Sequence, residues 1–440
     1  MNKTCAMIAA LVIAATTLLT DNAKAQIKME IIGPGSTLSA IAVSDLKNLG
    51  AAGREPVSAA FTSTLVRNLE LSGYFRIVDP AAYIEDPQQS GYELGQFKFA
   101  NWSAINTVFL VKGAIRQEGA SLSLTAFLYD VAQQRRMMGK QYSGGAGDVG
   151  RMARRFADAI LEASTGVRGP FDSKLAFIST RGGRFKEIYT QSIDGQELFR
   201  LTDNKTINLF PSWDRNGNEL LYLSYKSGEP TMYLANLNRR IETQLPSQRG
   251  RVIGGAISPN GDRIAAAVEH SGYTNLYLFD RDGHELRALT ETRSINVGPS
   301  FSPDGRAVAF TSDRAGTPQI WMMSLEGGDA KRLTYSGNYN TTPKFAPKGD
   351  RIAYQSREGG GFEIYSIAIG GGPAVRMTDG IGSNQSPTWS PDGRYIAFSS
   401  NRAGRPRVYL LQVATGKIIS ALTEGKGDDT SPAWSWWLGE

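Results

Sequence analysis

From residue 174 onward the chain is written in apolar runs of four to seven residues, separated by turns of glycine, proline, aspartate and asparagine. In one stretch "PSFS" leads into "PDGR", followed by "AVAFTS", "DRAG", "QIWMMSL", "EGGD" and "AKRLT". These runs are too short for helices, and the breaks carry turn chemistry, so the stretch reads as four short strands. Pro-Asp-Gly suits a tight turn because proline presets φ while aspartate and glycine tolerate the geometry that follows.

The unit repeats. Gly217, Gly261, Gly305, Gly349 and Gly393 close equivalent turns at intervals of 44 residues, and the aromatics Tyr189, Tyr233, Tyr277, Trp321, Tyr365 and Tyr409 keep the same spacing. A third landmark, "RLT" or a variant, ends at Thr202, Thr290, Thr334, Thr378 and Thr423; the second copy reads "TQLPS" and lacks the threonine. Four strands per 44 residues is the pattern of a propeller blade. The aromatic occurs six times but the glycine turn five, because the first copy begins at "KLAFIST", already in its second strand. The missing first strand is predicted in "TSPAWSWWLGE", residues 430–440, which would close a six-bladed ring without leaving open sheet edges. Trp213, Ile257, Phe301, Phe345, Trp389 and Trp434 occupy one position of the first strands and are expected to pack between neighbouring blades.

Residues 26–168 do not share the period. Strands are predicted at "IKMEII", "SAIAV" and "FRIV", a helix at "PVSAAFTSTLVRNLELSG", a short helix near "NWSAIN", then a hairpin of "TVFLVKGAI" and "SLSLTAFLYDV" with "RRMMGKQYS" as a third strand. A final helix, "DVGRMARRFADAILEAST", is expected to be capped by Asp148 and ended by Gly166, with Arg151, Arg154 and Arg155 on an exposed face. The predicted organisation is a signal peptide over 1–25, a small N-terminal α+β domain over 26–168 and a six-bladed β-propeller over 169–440, closed by the C-terminal strand.

The signal assignment rests on Lys3, the apolar run Ala6 to Leu19 and "AKA" at Ala23 to Ala25, which predict cleavage between Ala25 and Gln26. The apolar run is short for a membrane span, so a soluble periplasmic protein is expected. Cys5, the one cysteine, falls inside the signal, which excludes disulfides, thiol catalysis and Cys-ligated zinc in the mature chain. The formal charge of +6 is scattered, without a Lys/Arg-rich run, so nucleic acid is not an expected partner.

Little in the chain is arranged for catalysis. No G-x-S-x-G occurs, and the two histidines, His270 and His284, stand in turn contexts without metal-ligand spacing. Gly145, Gly147 and Gly150 spell G-x-G-x-x-G, but the preceding strand is polar and no second βαβ half follows, so dinucleotide binding is rejected. Asp304 and Asp392 sit in glycine turns, and Asp203, Glu291, Asp379 and Glu424 follow the threonine landmark; one structural role reused accounts for them better than acid–base chemistry. No cofactor or metal is expected. The loops before the first strands, among them "DNKTINLFP", "ETRSINVGP" and "YSGNYNTTP", are polar and should ring one mouth of the propeller, where solvated loops and a protein-gripping surface are both open readings. In "QIKMEIIGPG", alternation of Ile27, Met29 and Ile31 with Lys28 and Glu30 suits a strand that pairs within its own domain or adds to a partner's sheet.

The signal, the junction "RMARRFADAILEASTGVRGPFDSKLAFIST" and the "SPxWSPDGRxIAF" units together resemble the TolB family, the periplasmic component of the Tol-Pal system of Gram-negative bacteria, over essentially the whole mature chain. The resemblance implies a non-enzymatic, monomeric adaptor that supports outer-membrane integrity and envelope constriction during cell division. It implies that Pal is bound at the propeller mouth by Arg251, Asn296, Val297, Asn340, Asn384 and Asp429, and TolA by the N-terminal segment Gln26, Ile27, Lys28, Met29, Glu30, Ile31 and Ile32. The match is loosest at Arg251 and Val252, where some relatives carry other polar residues. An exported peptidase or hydrolase gated by its propeller is the competing expectation.

Overall fold

The computed structural model describes residues 38–50, 55–246 and 250–439. The predicted signal peptide, the strand expected at "IKMEII" and the candidate TolA segment Gln26–Ile32 lie outside the described residues.

The N-terminal sheet contains β1 (Ser39–Val43), β2 (Lys47–Asn48), β3 (Phe75–Ile77), β4 (Phe109–Glu118), β5 (Ser121–Asp130) and β6 (Arg135–Gly145), in the order β3-β1-β4-β5-β6 with β2 also on β4. The β1 strand runs parallel to β3 and β4, while β4, β5 and β6 form an antiparallel meander. Helices α1 (Glu55–Ser72) and α3 (Val149–Thr165) bury Phe61, Leu65, Leu69, Phe156 and Ile160 against this sheet, and a short α2 (Phe99–Ser103) places Trp102 beside Tyr83. Since β6 is an antiparallel strand at the sheet's edge, the glycines after it do not form a dinucleotide turn.

Two expectations for α3 meet different outcomes. Gly166 ends it in a left-handed conformation, with φ 79° and its N–H donating to the Glu162 carbonyl. Asp148 does not cap it; its carboxylate turns back to accept from the Gly145 N–H at 2.7 Å. Nor are all the helix arginines exposed. Arg154 is 2 % exposed and held between Asp194 and Glu197 of the propeller, because α3 is covered by the propeller on the side that carries it.

The propeller has six four-stranded antiparallel sheets. The inner strands of blades 2 to 6 are Asn208–Trp213, Arg251–Ile257, Asn296–Phe301, Asn340–Phe345 and Asn384–Trp389. Blade 1 is composite: the C-terminal strand Asp429–Trp434 pairs with β7 (Lys174–Ser179), followed by β8 (Glu187–Ser192) and β9 (Phe199–Arg200). The ring therefore closes as the pattern predicted. The turn glycines have φ between 64° and 75°, a left-handed geometry that side chains rarely adopt.

Tryptophans at the inner-strand position tie blade to blade. Trp213 packs with Ala176 and Ile188 of blade 1 and donates its indole N–H to the Ala433 carbonyl at 3.0 Å; Trp389 donates to the Lys344 carbonyl at 3.1 Å. Trp434 donates to the Ser173 hydroxyl at 2.8 Å and belongs to the same apolar core as α1 and α3, so the closing strand also anchors the N-terminal domain. Beyond it, the Trp437 indole donates to the Gly169 carbonyl at 2.7 Å. The Tyr395 hydroxyl donates to the Ser72 carbonyl at 2.7 Å, joining blade 6 to the end of α1.

Truncation at Thr430 should destabilise the whole propeller and not one blade, because it removes the inner strand of blade 1; a calorimetric melt as cooperative and as hot as that of the full chain would refute this. Replacing Arg154 with alanine leaves Asp194 buried without its cation and should cost about 3–5 kcal/mol in denaturant unfolding, as loss of one partner of a buried ion pair does.

Candidate functional site

The loops preceding the inner strands gather at one mouth of the propeller, together with the turns between second and third strands. The isolated bridges Lys186–Ile207 and Thr274–Ile295 join these two sets. A polar triad recurs there. In blade 4 and its neighbour, Thr290 donates to the Asn275 side-chain oxygen at 2.9 Å, Asn296 donates to the same oxygen at 3.2 Å, and the Thr290 hydroxyl accepts from the Leu276 N–H at 2.9 Å. Glu187, Thr202 and Asn208 repeat it, as do Gln319, Thr334 and Asn340, and again Glu363, Thr378 and Asn384. In each case the threonine and the third-strand side chain belong to one blade and the asparagine opens the inner strand of the next.

Arginines lock two of these asparagines from the other side. Arg314 donates to the Asn296 oxygen at 2.7 Å and Arg402 to that of Asn384 at 3.1 Å. An amide suits the position because it donates to one blade and accepts from the other. At the closing junction the pair is ionic: Asp429 accepts from Arg407 at 3.4 Å and from Arg181 at 2.8 Å. At the junction of blades 2 and 3, Thr231, Pro246 and Val252 stand in the register of the triad, and proline and valine have no side-chain polar atom with which to form it.

Asn296, Asn340, Asn384 and Asp429 are thus at the mouth, as expected, but each has 0 % exposure; their side chains hold blades together and leave the surface to their neighbours. Val297 is half-buried, and of the six candidates Arg251 alone is exposed, on the inner strand whose Val252 replaces the asparagine. The accessible surface is supplied by Ile207, Phe210, Ile295, Tyr335, Tyr339 and Ile381, exposed large apolar residues on these loops or at the start of the inner strands. The period carried the signal: Ile207, Ile295 and Tyr339 each precede a triad asparagine, a position read in the sequence only as part of a polar loop.

Two ion pairs lie at this surface, Arg402 with Asp379 and Arg200 with Asp203. Partial burial raises the pKa of Asp379, but two donors from Arg402, at 3.0 and 3.1 Å, outweigh it and hold the carboxyl below its ordinary range. The turn carboxylates are staples at the opposite end: Asp304 accepts from the Ser302 hydroxyl at 2.5 Å and the Arg306 N–H at 3.0 Å. His270 is exposed at a strand end, and His284 contacts Asp280 at 3.1 Å on the surface. Among the described residues no three His, Cys, Asp or Glu side chains are grouped to hold a metal. The mouth is suited to protein contact: apolar and tyrosine side chains on loops that buried hydrogen bonds hold in place.

If the triad is a strap between blades, Asn296→Ala should cost about 1–3 kcal/mol, because it removes a buried amide that donates to the buried Thr274 carbonyl and accepts from Arg314. Unfolding of the variant beside Ile295→Ala, whose side chain is half in water, checks this; equal, small losses for both would rule the strap out.

Comparison with known proteins agrees with the architecture. The model of the TolB beta propeller domain matches residues 161–437, and that of the TolB amino-terminal domain matches residues 27–137. A Tol-Pal system protein TolB of Syntrophotalea carbinolica is 38% identical over 196 residues, 44% of this chain and 45% of that protein. Its counterpart from Desulfosudis oleivorans is 39% identical over 223 residues, half of each chain; the matched stretch thus spans about half the length of the curated relatives. The crystal structure of TolB from Acinetobacter baumannii superposes with a TM-score of 0.77 over 93% of this chain and 100% of that one, at 23% identity, which establishes the shared fold. With its propeller and its amino-terminal domain both matched, the chain belongs to the TolB family of the Tol-Pal system.

Proposed function

We propose that the protein is a non-catalytic periplasmic adaptor of the Tol-Pal system, with residues 26–168 as its N-terminal domain and 169–440 as its propeller. In this reading the propeller mouth takes Pal and the segment Gln26–Ile32 takes TolA. The observation that carries it is the character of the mouth: Ile207, Ile295, Tyr335, Tyr339 and Ile381 are exposed together on loops whose bases are hydrogen-bonded between blades. A buried strap keeps such a surface preorganised, which reduces the ordering cost of binding. Among the described residues no helix is long and apolar enough to cross a membrane, in keeping with an exported protein.

Within this proposal the mouth residues have divided roles. Arg251, Val297 and the exposed apolar side chains touch Pal, while Asn296, Asn340, Asn384 and Asp429 act by holding the loops. TolA recognition by Gln26–Ile32 would follow strand pairing, since alternate side chains in an added strand face a partner's sheet while the backbone supplies hydrogen bonds. Docking or release of that segment would bias the mouth, and the coupling must then act equally in both directions.

Calorimetric titration of the mature protein with the periplasmic domain of Pal should give a saturable complex. Tyr339→Ser combined with Ile295→Ser should weaken it by at least tenfold without lowering the melting temperature, consistent with interface anchors worth more than about 1 kcal/mol each. Deletion of Gln26–Gly33 should abolish TolA binding and leave the fold intact. Unchanged Pal affinity in the double variant would refute the mouth assignment, and TolA affinity that survived the deletion would refute the segment assignment.

A further inference from the structure

A cavity at the centre of the ring is lined by one charged side chain. At the end of the channel away from the mouth loops, the inner strands enclose this cavity of 130 Å³, lined by their large apolar residues, by the turn prolines Pro259, Pro303, Pro347 and Pro391, and by Trp436. No carboxylate or histidine is among the lining residues, and Lys344 is their one charged side chain.

Lys344 belongs to a belt that the repeat defines. Its equivalents, one residue before the large apolar position, are Ser212, Ala256, Ser300, Thr388 and Ala433. Around the ring, hydroxyls on blades 2, 4 and 6 alternate with Ala256, Lys344 and Ala433 on blades 3, 5 and 1. A bulge precedes each belt residue by two positions: Phe210, Thr342, Ser386 and Ser431 have φ between 50° and 55°, with Gly254 and Gly298 in the corresponding places. The register of each inner strand shifts across that bulge, as at Thr341/Lys344, which re-aims the residues after it.

Each hydroxyl of the belt accepts from one backbone N–H. Ser212 accepts from the Ile257 N–H at 3.3 Å, Ser300 from the Phe345 N–H at 3.3 Å and Thr388 from the Trp434 N–H at 3.2 Å. With a backbone N–H on each oxygen, the hydroxyl proton of each remains to donate. Lys344 itself is half-buried, lines this cavity, and has no ion pair or side-chain hydrogen bond among the described residues. Desolvation alone lowers its pKa; no neighbouring charge contributes. A desolvated ammonium without a partner is costly, and an ammonium beside hydroxyl donors, with no carboxylate among the lining residues, is complementary to an anion.

We propose that the Lys344 belt is a binding site for a small anion presenting carboxylate or phosphate oxygens, with the Lys344 ammonium as its charge partner and the hydroxyls of Ser212, Ser300 and Thr388 as donors. The site is independent of the partner-binding mouth, which lies at the other end of the channel. The chemistry of the belt does not separate a carboxylate from a phosphate, and the titration does.

The test uses the mature protein in low-salt zwitterionic buffer at pH 7, titrated separately with sodium acetate, sodium succinate and sodium phosphate while its melting temperature and heat of binding are followed. At least one of the three should give a saturable rise in melting temperature. Lys344→Met should fold, melt no lower than the wild type in anion-free buffer, and lose that response. Ser300→Ala, which retains the charge, should weaken binding by roughly 3–10-fold, the worth of one hydrogen bond. Acetate or succinate as the responding probe identifies a carboxylate site, and phosphate alone identifies a phosphate site. No saturable response to any probe, or an equal response in Lys344→Met, overturns the proposal.

Discussion

The pairing of Asp429–Trp434 with β7 is the constraint on which the rest of the molecule depends. A propeller blade buries its faces only against neighbours, so an open array would leave two apolar faces and two strand edges in water. Building blade 1 from both ends of the repeat makes closure part of the sheet's own hydrogen bonding. Trp434 then carries that closure inward, since its indole meets Ser173 and its ring joins the core formed by α1, α3 and β7. The N-terminal domain is consequently seated on blades 1 and 6, with Arg154 buried between Asp194 and Glu197 and Tyr395 bonded to the end of α1.

A second layer of constraint runs between blades at the mouth. One asparagine, one threonine and one third-strand amide or carboxylate share hydrogen bonds across each of four junctions, and an Asp–Arg pair replaces the amides where the ring closes. Buried polar groups arranged in this way specify spacing between blades more sharply than apolar packing, because a shifted blade would leave them unsatisfied. The exposed isoleucines and tyrosines then sit on loops of defined geometry, an arrangement suited to recognising another folded protein. The junction of blades 2 and 3 has lost all three members together, and there the exposed Arg251 follows a loop that is not closed by the strap.

The repeat was legible because 44-residue periodicity records positions that must be equivalent in space. Turn glycines, the inner-strand tryptophans and the closing strand could all be located that way, and the helices and meander of the N-terminal domain followed from their apolar spacing. What did not follow was which of the repeated polar residues face water. Asn296 and Asn384 read as polar loop residues, yet each is enclosed by groups from two blades separated by about half a repeat in sequence. Arg154 likewise reads as one of three exposed arginines on a helix, and its burial depends on the propeller segment around Asp194 lying across that helix.

The sequence by itself determined the six blades, their strand order and the composite first blade, since each depends on local turn chemistry and on counting equivalent positions. Tertiary structure decided the roles of individual side chains. Whether an asparagine binds a partner or a neighbouring blade, whether an arginine is solvated or paired, and whether Lys344 faces bulk water or a cavity with no carboxylate among its lining residues depend on groups brought together from distant parts of the chain. Periodicity specifies where such groups recur along the chain, while desolvation and hydrogen bonding are set by what packs around them in three dimensions.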